Sequence, residues 1–192
     1  IHILQRFEPG AIRGPDGRPI AGEVMGLRDA LNLARPGVTI QLLPGIYTRD
    51  TPEEGILFPR DGSPDKPITL RGTGSGTVID GRTEISKIVS MIFGTSDEGA
   101  LLVPDFLKGV NCVRLDGKQW IVIENLTFLR CADAAVYVRN SQYVTLRNST
   151  IIGSLYAFFA AGVQSHHLLL EGNVWLQDPS EAMWKRIHWC EY

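Results

Sequence analysis

The sequence has no excess of charge of either sign and no long apolar run. Its 192 residues include 19 Lys and Arg against 21 Asp and Glu, a net charge of -2. The basic surface typical of a nucleic-acid-binding protein is therefore not predicted. A membrane-spanning helix requires roughly 18 consecutive apolar residues, and no segment approaches that length. We expect neither a nucleic-acid partner nor a membrane span.

Cysteine is scarce, with three residues in the chain: Cys112, Cys131 and Cys190. They are far apart and odd in number, which fits neither a zinc knuckle nor a disulfide framework. Because free cysteine is usually buried, we expect three buried thiols. The pair His166 and His167 has no carboxylate or cysteine at metal-ligand spacing, so a zinc site is not predicted.

The segment GTGSGTVIDG, residues 72–81, lacks what a dinucleotide-binding loop requires. Thr77 stands where the last glycine of GxGxxG would be, and no helical pattern follows it. A turn between strands is the better interpretation. With 20 Gly and 11 Pro, the whole composition favours many short strands joined by turns.

One segment has the periodicity of an amphipathic helix. Apolar residues at 24, 27, 30, 31 and 34 share one face, and Arg35-Pro36-Gly37 ends the pattern. We expect an N-terminal cap helix over about 22–36. The segments that follow are apolar and closed by Gly, Pro or Asp, as strands are, at 38–48, 56–58, 67–72 and 77–81. Residues 82–109 fit no such pattern and are interpreted as an excursion.

The second half of the chain repeats itself. QWIVIENLTF, residues 119–128, aligns with QYVTLRNSTI, residues 142–151, at a shift of 23, and a further shift of 24 reaches HLLLEGNVW at 167–175. Strand-like repeats of roughly 20 to 50 residues are typical of solenoids. A leucine-rich frame is missing and the repeat is too short for a propeller blade. The period therefore favours a parallel β-helix, with coils of about 23 residues over 38–192.

A β-helix predicts which residues stack. Ile123, Leu146 and Leu170 should form one buried column, because equivalent residues of successive coils lie about 4.8 Å apart. The residues that follow each of them should face outward, as a solvated charge ladder or, alternatively, as a substrate-binding surface. These outward residues are Glu124, Arg147 and Glu171.

The turn after each repeated strand holds Asn125, Asn148 or Gly172. Both residue types suit a positive φ, so we expect left-handed backbone at these positions. Asn125 and Asn148 also begin glycosylation acceptor patterns. Since the pattern recurs at the coil period, we interpret it as turn chemistry.

Two segments resemble a known superfamily. GLRDALNLARPGVTIQLLPGIYT, residues 26–48, and SPDKPITLRGTGSGTVIDG, residues 63–81, are similar to the cap and first coils of pectin-lyase-like proteins. The nearest branch is that of alginate lyases and chondroitinase B-like polysaccharide lyases, although Val38 replaces an acidic residue usual there. The resemblance implies an all-β, right-handed parallel β-helix with an N-terminal capping α-helix, forming one domain over 1–192.

The resemblance also implies a function. It predicts a carbohydrate-active protein that acts on or binds an acidic polysaccharide, by lyase-type β-elimination, with calcium a cofactor of some members. Because the same fold carries non-catalytic proteins, a carbohydrate-binding module or a structural subunit is the alternative. Proteins of this fold are commonly exported, so a periplasmic, cell-surface or secreted location is expected.

No segment matches a lyase catalytic motif, so no catalytic residue is assigned. Charged residues of the later coils are the candidates for contact with a polysaccharide, and Trp184 and Trp189 flank some of them as in sugar-binding surfaces. Solvated turns are the alternative interpretation for the earliest two. The candidates are Arg130, Asp133, Asp178, Glu181, Lys185, Arg186 and His188.

The sequence ends at MWKRIHWCEY, residues 183–192, in the middle of a predicted coil and without an amphipathic segment that would cover it. A bare coil would expose apolar side chains and unpaired strand edges. We therefore expect either an N-terminal portion of a longer β-helix or a protein partner that covers this end.

Overall fold

The computed structural model describes residues 12–13, 26–48, 55–81, 111–131, 134–154 and 156–176. These residues form one helix, α1 (Leu27–Leu33), a 3-10 turn at Gly74–Gly76 and fifteen short strands. The strands are β1 (Ile12–Arg13), β2 (Thr39–Gln41), β3 (Gly45–Thr48), β4 (Ile56–Leu57), β5 (Ile68–Arg71), β6 (Thr77–Asp80), β7 (Val113–Asp116), β8 (Gln119–Glu124), β9 (Thr127–Leu129), β10 (Ala134–Arg139), β11 (Gln142–Arg147), β12 (Thr150–Ile152), β13 (Tyr156–Ala161), β14 (His166–Glu171) and β15 (Val174–Leu176).

The described strands form three sheets, and neighbours within a sheet are strands one coil apart. Sheet A has the order β1-β2-β5-β8-β11-β14, sheet B β3-β6-β9-β12-β15 and sheet C β4-β7-β10-β13. The pairings are parallel except for β1 with β2, which is antiparallel. Beyond β1, the chain visits the sheets in the repeating order A, B, C. This is the topology of an all-β parallel solenoid.

The helix α1 spans Leu27–Leu33 and lies within the predicted cap segment. Its Leu27, Ala30 and Leu31 are buried and belong to the same hydrophobic cluster as Ile40 of β2. The helical spacing of these apolar residues is what allows one face to join the core. The helix prediction is confirmed for these residues, while 22–25 lie outside the described part of the chain.

The predicted core column is confirmed by the strand register. Leu146 pairs with Ile123 on one side and with Leu170 on the other, and Ile123 pairs with Leu70. The first members of the column are inaccessible, with Leu70 and Ile123 at 0% and Leu146 at 1% exposure. Leu170 is 53% exposed, because β14 is the edge of the described sheet. A side chain of this column is therefore buried where a described coil lies on each side of it.

The predicted left-handed turns are also confirmed. The φ angles of Asn125, Asn148 and Gly172 are 55°, 50° and 61°. A Cβ on Gly172 would lie 2.6 Å from Oδ1 of Asn148, so glycine makes room for the asparagine of the coil before it. The segment at Gly74–Gly76 is a 3-10 turn followed by β6, in agreement with the turn interpretation.

Buried serines connect successive coils next to these turns. Ser149 Oγ accepts a hydrogen bond from the backbone N–H of Leu126 at 3.3 Å and donates to the carbonyl of Arg147 at 3.0 Å. Ser141 Oγ likewise accepts from the N–H of Lys118 at 2.9 Å. The hydroxyls satisfy backbone groups at corners where the strand ladders are interrupted.

The expectation of three buried thiols is wrong for two of the cysteines. Cys112 and Cys131 form a disulfide, with Cα atoms 5.4 Å apart and both residues fully buried. Cys112 immediately precedes β7 of sheet C, and Cys131 follows β9 of sheet B on the next passage to sheet C. The solenoid thus returns the chain to the same corner one coil later and brings the two cysteines together. Their spacing in the sequence does not show this proximity. Cys190 lies outside the described residues.

The excursion predicted at 82–109 also lies outside the described residues. The strands on either side of it pair without interruption, since β5 bonds to β8, β6 to β9 and β4 to β7. The regular ladder is therefore maintained across this part of the sequence.

Reduction of the Cys112–Cys131 disulfide should lower the free energy of unfolding by about 3 kcal/mol, since it closes a loop of 19 residues in the unfolded chain. Denaturant unfolding with and without a thiol reductant measures the difference. The double variant Cys112→Ala, Cys131→Ala should be insensitive to the reductant. An unchanged unfolding midpoint on reduction of the unsubstituted chain would contradict the disulfide.

Candidate functional site

The outer surface of sheet A carries a straight column of polar and charged side chains. Strand pairing places one member on each successive coil, at the same position in its strand. We call this set the charged column. Its members, in order along the solenoid, are Gln41, Arg71, Glu124, Arg147 and Glu171.

Glu124 is the buried centre of the charged column. Its side chain is 4% exposed, whereas those of Arg71 and Arg147 are 43% and 41% exposed. Nε of Arg147 donates to Oε2 of Glu124 at 2.6 Å, and Nε of Arg71 donates to Oε1. Both carboxylate oxygens are therefore engaged, one by each neighbouring coil. The expected solvated ladder is wrong at this position, because the two arginines cover the carboxylate.

The side chains of Arg71 and Arg147 are partly exposed to solvent. Within the described residues, the side-chain hydrogen bonds of Arg71 and Arg147 both come from Nε. The Nη groups of each guanidinium thus keep their donors for a ligand, in the fork geometry that suits carboxylates. Since one carboxylate is shared by two guanidinium groups, the trio has a net charge of +1.

The protonation of Glu124 is set by competing effects. Burial raises the pKa of the carboxyl, but hydrogen bonds from Arg147 and Arg71, together with their positive charges, hold it below its ordinary value. Glu124 is consequently a stable anion at neutral pH. Its negative charge keeps the two guanidinium groups oriented. We therefore do not assign Glu124 the role of a proton donor.

An aromatic stack lies at the start of the sheet A strands. The Trp120 and Tyr143 rings are parallel, with centroids 3.9 Å apart, and the His167 ring lies 4.5 Å from Tyr143. All three residues have positive φ, from 54° to 57°, which is costly for large side chains. Trp120 of the preceding coil and His167 of the following coil stack on the Tyr143 ring. The ring of Tyr143 is therefore not available for stacking on a sugar. We interpret the stack as structural.

Arg130 is the one predicted contact residue that the described part of the chain contains. It follows β9 with a φ of 52°, and its Nε donates to Oδ1 of Asp80 at 3.2 Å. The Asp80 side chain is 8% exposed, whereas Arg130 is 43% exposed. Arg130 is therefore held by an ion pair at the end of sheet B, away from the charged column of sheet A. Arg130 lies in the turn after β9 and is partly exposed, as the turn interpretation expects, and its side chain is in addition ion-paired with Asp80.

The remaining contact candidates lie outside the described residues and stay predictions. They are Asp133, Asp178, Glu181, Lys185, Arg186 and His188.

Arg71 and the aromatic stack were missed by sequence reasoning. Arg71 precedes Glu124 by 53 residues, although their strands are neighbours, and so lies outside the intervals of 23 and 24 residues. Trp120, Tyr143 and His167 do recur at intervals of 23 and 24, which is the signal that could have found them.

The calcium implied by the resemblance finds no donor set among the described residues. Nowhere in that part of the chain do three or more His, Cys, Asp or Glu side chains come together to hold a metal ion. No chemical step is therefore assigned to a metal. Also within these residues, no helix has the length and apolar character needed to cross a membrane.

No family model and no curated protein matches the chain. A candidate glycosyl hydrolase from Parabacteroides merdae is similar in structure, with 16% identity and a TM-score of 0.39 over 71% of this chain and 73% of that one. A variant of the PL6-family alginate lyase AlyGC has 16% identity and a TM-score of 0.37 over 82% of this chain. The match covers 20% of that lyase. Similarity of this size assigns no residue role and no reaction.

Substitution of Glu124 by Gln should lower the free energy of unfolding at neutral pH by about 1–3 kcal/mol, because charge-assisted hydrogen bonds to two arginines are weakened. The folded-state pKa of Glu124 is depressed, so its stabilisation is complete above the unfolded-state pKa and is lost as pH falls through the folded one. Urea unfolding at about pH 7 and about pH 3 should show the difference between the two chains shrinking in acid.

Glu171→Gln is the matched control, since Glu171 occupies the same column but is exposed. It should change stability by no more than a few tenths of a kcal/mol. Equal effects of the two substitutions, or a Glu124→Gln effect that persists undiminished in acid, would contradict the role given to Glu124.

Proposed function

We propose that this chain is a carbohydrate-active, right-handed β-helix protein that holds an acidic polysaccharide along the charged column of sheet A. The observation that carries the proposal is the pair of half-exposed arginines, Arg71 and Arg147, fixed by one buried carboxylate. A buried Glu124 with both oxygens engaged keeps the two guanidinium groups in place. Their outward donors are then preorganised for an anion.

The shape of the surface favours an extended ligand. Members of the charged column recur once per coil, about 4.8 Å apart, so Arg71 and Arg147 lie roughly 9.6 Å apart in a line along the solenoid axis. For each sugar ring, a polysaccharide advances by a distance similar to the spacing of one coil. A polymer that lies along the axis can therefore contact Arg71 and Arg147 in turn.

The chemistry of the surface favours carboxylates. A guanidinium group binds a carboxylate through two parallel N–H donors, which gives orientation as well as affinity. Arg71 and Arg147 supply this recognition on two coils, and the coil that holds Glu124 lies between them. Uronate polymers present carboxylates along their length, and they are the substrate class that we propose.

For the reaction, we propose lyase-type β-elimination. Elimination beside a uronate carboxylate requires a group that neutralises the carboxylate, a base that takes the neighbouring proton and assistance to the leaving oxygen. Arg71 and Arg147 are suited to the first of these roles. The base and the acid are not assigned.

A non-catalytic carbohydrate-binding module is the second candidate, and one distance favours it. Tyr143 is the titratable side chain nearest to Arg147 along β11, and it precedes Arg147 by four residues, about 13 Å of extended strand. A base must reach the same sugar ring whose carboxylate is neutralised. Tyr143 and Arg147 are too far apart for that, so this strand alone supports binding rather than elimination.

We further propose that the protein works outside the cytoplasm. The Cys112–Cys131 disulfide supports this location, since structural disulfides form and persist mainly in oxidising compartments.

The test is to measure binding and product formation with alginate, pectate and chondroitin. Arg71→Gln and Arg147→Gln should each weaken binding of acidic oligosaccharides by about tenfold or more, because each removes charged hydrogen bonds. Arg139→Gln is the matched control, since Arg139 is exposed on sheet C, and it should bind as the unsubstituted chain does.

Ultraviolet absorbance of an unsaturated product would support elimination, whereas binding without product would support the module. New reducing ends without unsaturation would indicate hydrolysis instead. Failure to bind any acidic polymer, or equal binding by Arg71→Gln, Arg147→Gln and Arg139→Gln, would overturn the proposal.

A further inference from the structure

Two aromatic side chains on the outer face of sheet A carry polar atoms at their ring edges. We propose that Tyr143 and Trp120 form a second edge of the polysaccharide-binding surface and determine its specificity by hydrogen bonding to sugar hydroxyls. The ligand is an acidic sugar chain with free hydroxyl groups on the side of the ring opposite its carboxylate. The inference rests on the proposed function and deepens it, because the same site gains groups that recognise the uncharged side of the sugar.

Stacking occupies the faces of these rings and leaves their edges. Trp120 and Tyr143 hold equivalent positions on successive coils, since the residues that follow them, Ile121 and Val144, pair with each other. The two rings are parallel within 3°, with centroids 3.9 Å apart. A sugar cannot stack between them. The edge of each ring still carries one polar atom, Nε1 of Trp120 or Oη of Tyr143.

Both polar atoms are open to solvent. Neither makes a hydrogen bond within the described part of the chain, where Ser154 Oγ is the one buried side-chain nitrogen or oxygen without a partner. Nε1 of Trp120 and Oη of Tyr143 are unpaired but are not buried in that way, and both residues are partly exposed. The exposure does not come from a sheet edge, because β8 and β11 each have a neighbouring strand on both sides.

The backbone beneath the two rings is held in a costly conformation. The φ angles of Trp120 and Tyr143 are 57° and 54°, in the left-handed region that large side chains disfavour. Left-handed turns at the other end of the same sheet use small or amide residues, namely Asn125, Asn148 and Gly172. Strain that persists at large residues is concentrated at binding and catalytic sites. The strain therefore favours recognition in addition to packing.

The ring edges and the arginines lie on opposite sides of one strip. Alternate residues of a strand face the same side, so Tyr143, Thr145 and Arg147 of β11 share the outer face of sheet A. Tyr143 and Arg147 are about 13 Å apart along the strand. The residue between them is small, and on β8 its partner is Val122. A sugar chain that follows the solenoid axis over these small residues has arginines on one side and ring edges on the other.

These two sides match the two sides of a uronate ring. In a uronate linked through C1 and C4, the carboxylate lies on one side of the chain and the hydroxyls at C2 and C3 lie on the other. When Arg147 binds the carboxylate, the hydroxyls are on the side of Tyr143 and Trp120. Both residues can donate to a hydroxyl oxygen, and Oη of Tyr143 can also accept a hydroxyl proton. A few such polar groups fix the orientation of a ligand.

The experiment measures the affinity for oligosaccharides of alginate, pectate and chondroitin over a range of salt concentrations. Tyr143→Phe keeps the stacked ring and removes the hydroxyl group, so it should weaken binding about threefold to tenfold. Because the lost hydrogen bond is neutral, the loss should be the same at every salt concentration. Arg147→Gln should instead make the dependence on salt shallower, since salt screens charged contacts.

Tyr137→Phe is the matched control, because Tyr137 is a partly exposed tyrosine of sheet C. Its ring also stacks on the next coil, with its centroid 5.6 Å from that of Phe159. Tyr137→Phe should bind as the unsubstituted chain does. Trp120→Phe removes the Nε1 donor and keeps an aromatic ring, and it should show the same salt-independent loss as Tyr143→Phe. Trp120→Phe keeps the test valid if Tyr143→Phe lowers the unfolding midpoint.

The outcomes separate the inference from the proposed function. If no acidic oligosaccharide binds, the proposed function fails and the inference fails with it. If binding depends on the arginines but Tyr143→Phe and Trp120→Phe bind normally, the proposed function stands and the inference is overturned. An equal loss in Tyr143→Phe and Tyr137→Phe, or a loss that changes with salt as in Arg147→Gln, also overturns it. A salt-independent loss in Tyr143→Phe and Trp120→Phe, with none in Tyr137→Phe, supports the inference.

Discussion

Hydrogen bonding between successive coils is the constraint on which this structure depends. The strands of β8, β11 and β14 bond to one another in strict parallel register, so each residue has an equivalent directly beside it on the next coil. The register places Leu146 between Ile123 and Leu170 in the interior. On the outer face it places Arg147 between Glu124 and Glu171 by the same rule. Core packing and surface chemistry therefore have a common geometric origin.

The charged column shows how one residue can serve both stability and recognition. An isolated carboxylate buried as deeply as that of Glu124 would destabilise the fold. Hydrogen bonds from Arg71 and Arg147 offset this cost, and in doing so they hold the two arginines in defined positions. The arginines remain half exposed, so the interaction that stabilises the sheet also orders the groups offered to a ligand. A solvated ladder would not provide this order, since exposed pairs are weak and mobile.

Much of the scaffold could be predicted from the sequence because it depends on local periodicity. The intervals of 23 and 24 residues predicted the column of Ile123, Leu146 and Leu170 and the left-handed turns at Asn125 and Asn148. These features repeat wherever a strand meets its equivalent on the next coil. Their physical causes, alternation and turn geometry, lie within a few residues of each position.

The parts that could not be predicted depend on contacts between distant segments. Burial of Glu124 requires Arg71, which precedes it by 53 residues and so lies outside the intervals of 23 and 24 residues. The disulfide requires that the corner before β7 and the corner after β9 coincide in space. The aromatic stack requires positive φ at Trp120 and Tyr143. Large aromatic residues disfavour that backbone conformation, so their identity does not predict it.

The unequal spacing of equivalent strands has a consequence for the order of folding. Coils from β8 to β14 are joined by short, uniform connections, whereas the contact between Arg71 and Glu124 closes a separation of 53 residues. Loop-closure entropy and contact order both make the longer closure slower. We expect the later coils to assemble first as a nucleus, and the first coils to dock on it afterwards. The ion pair between Arg71 and Glu124 would then form only at that final step, so a chain halted before docking would have Arg147 in place but not Arg71.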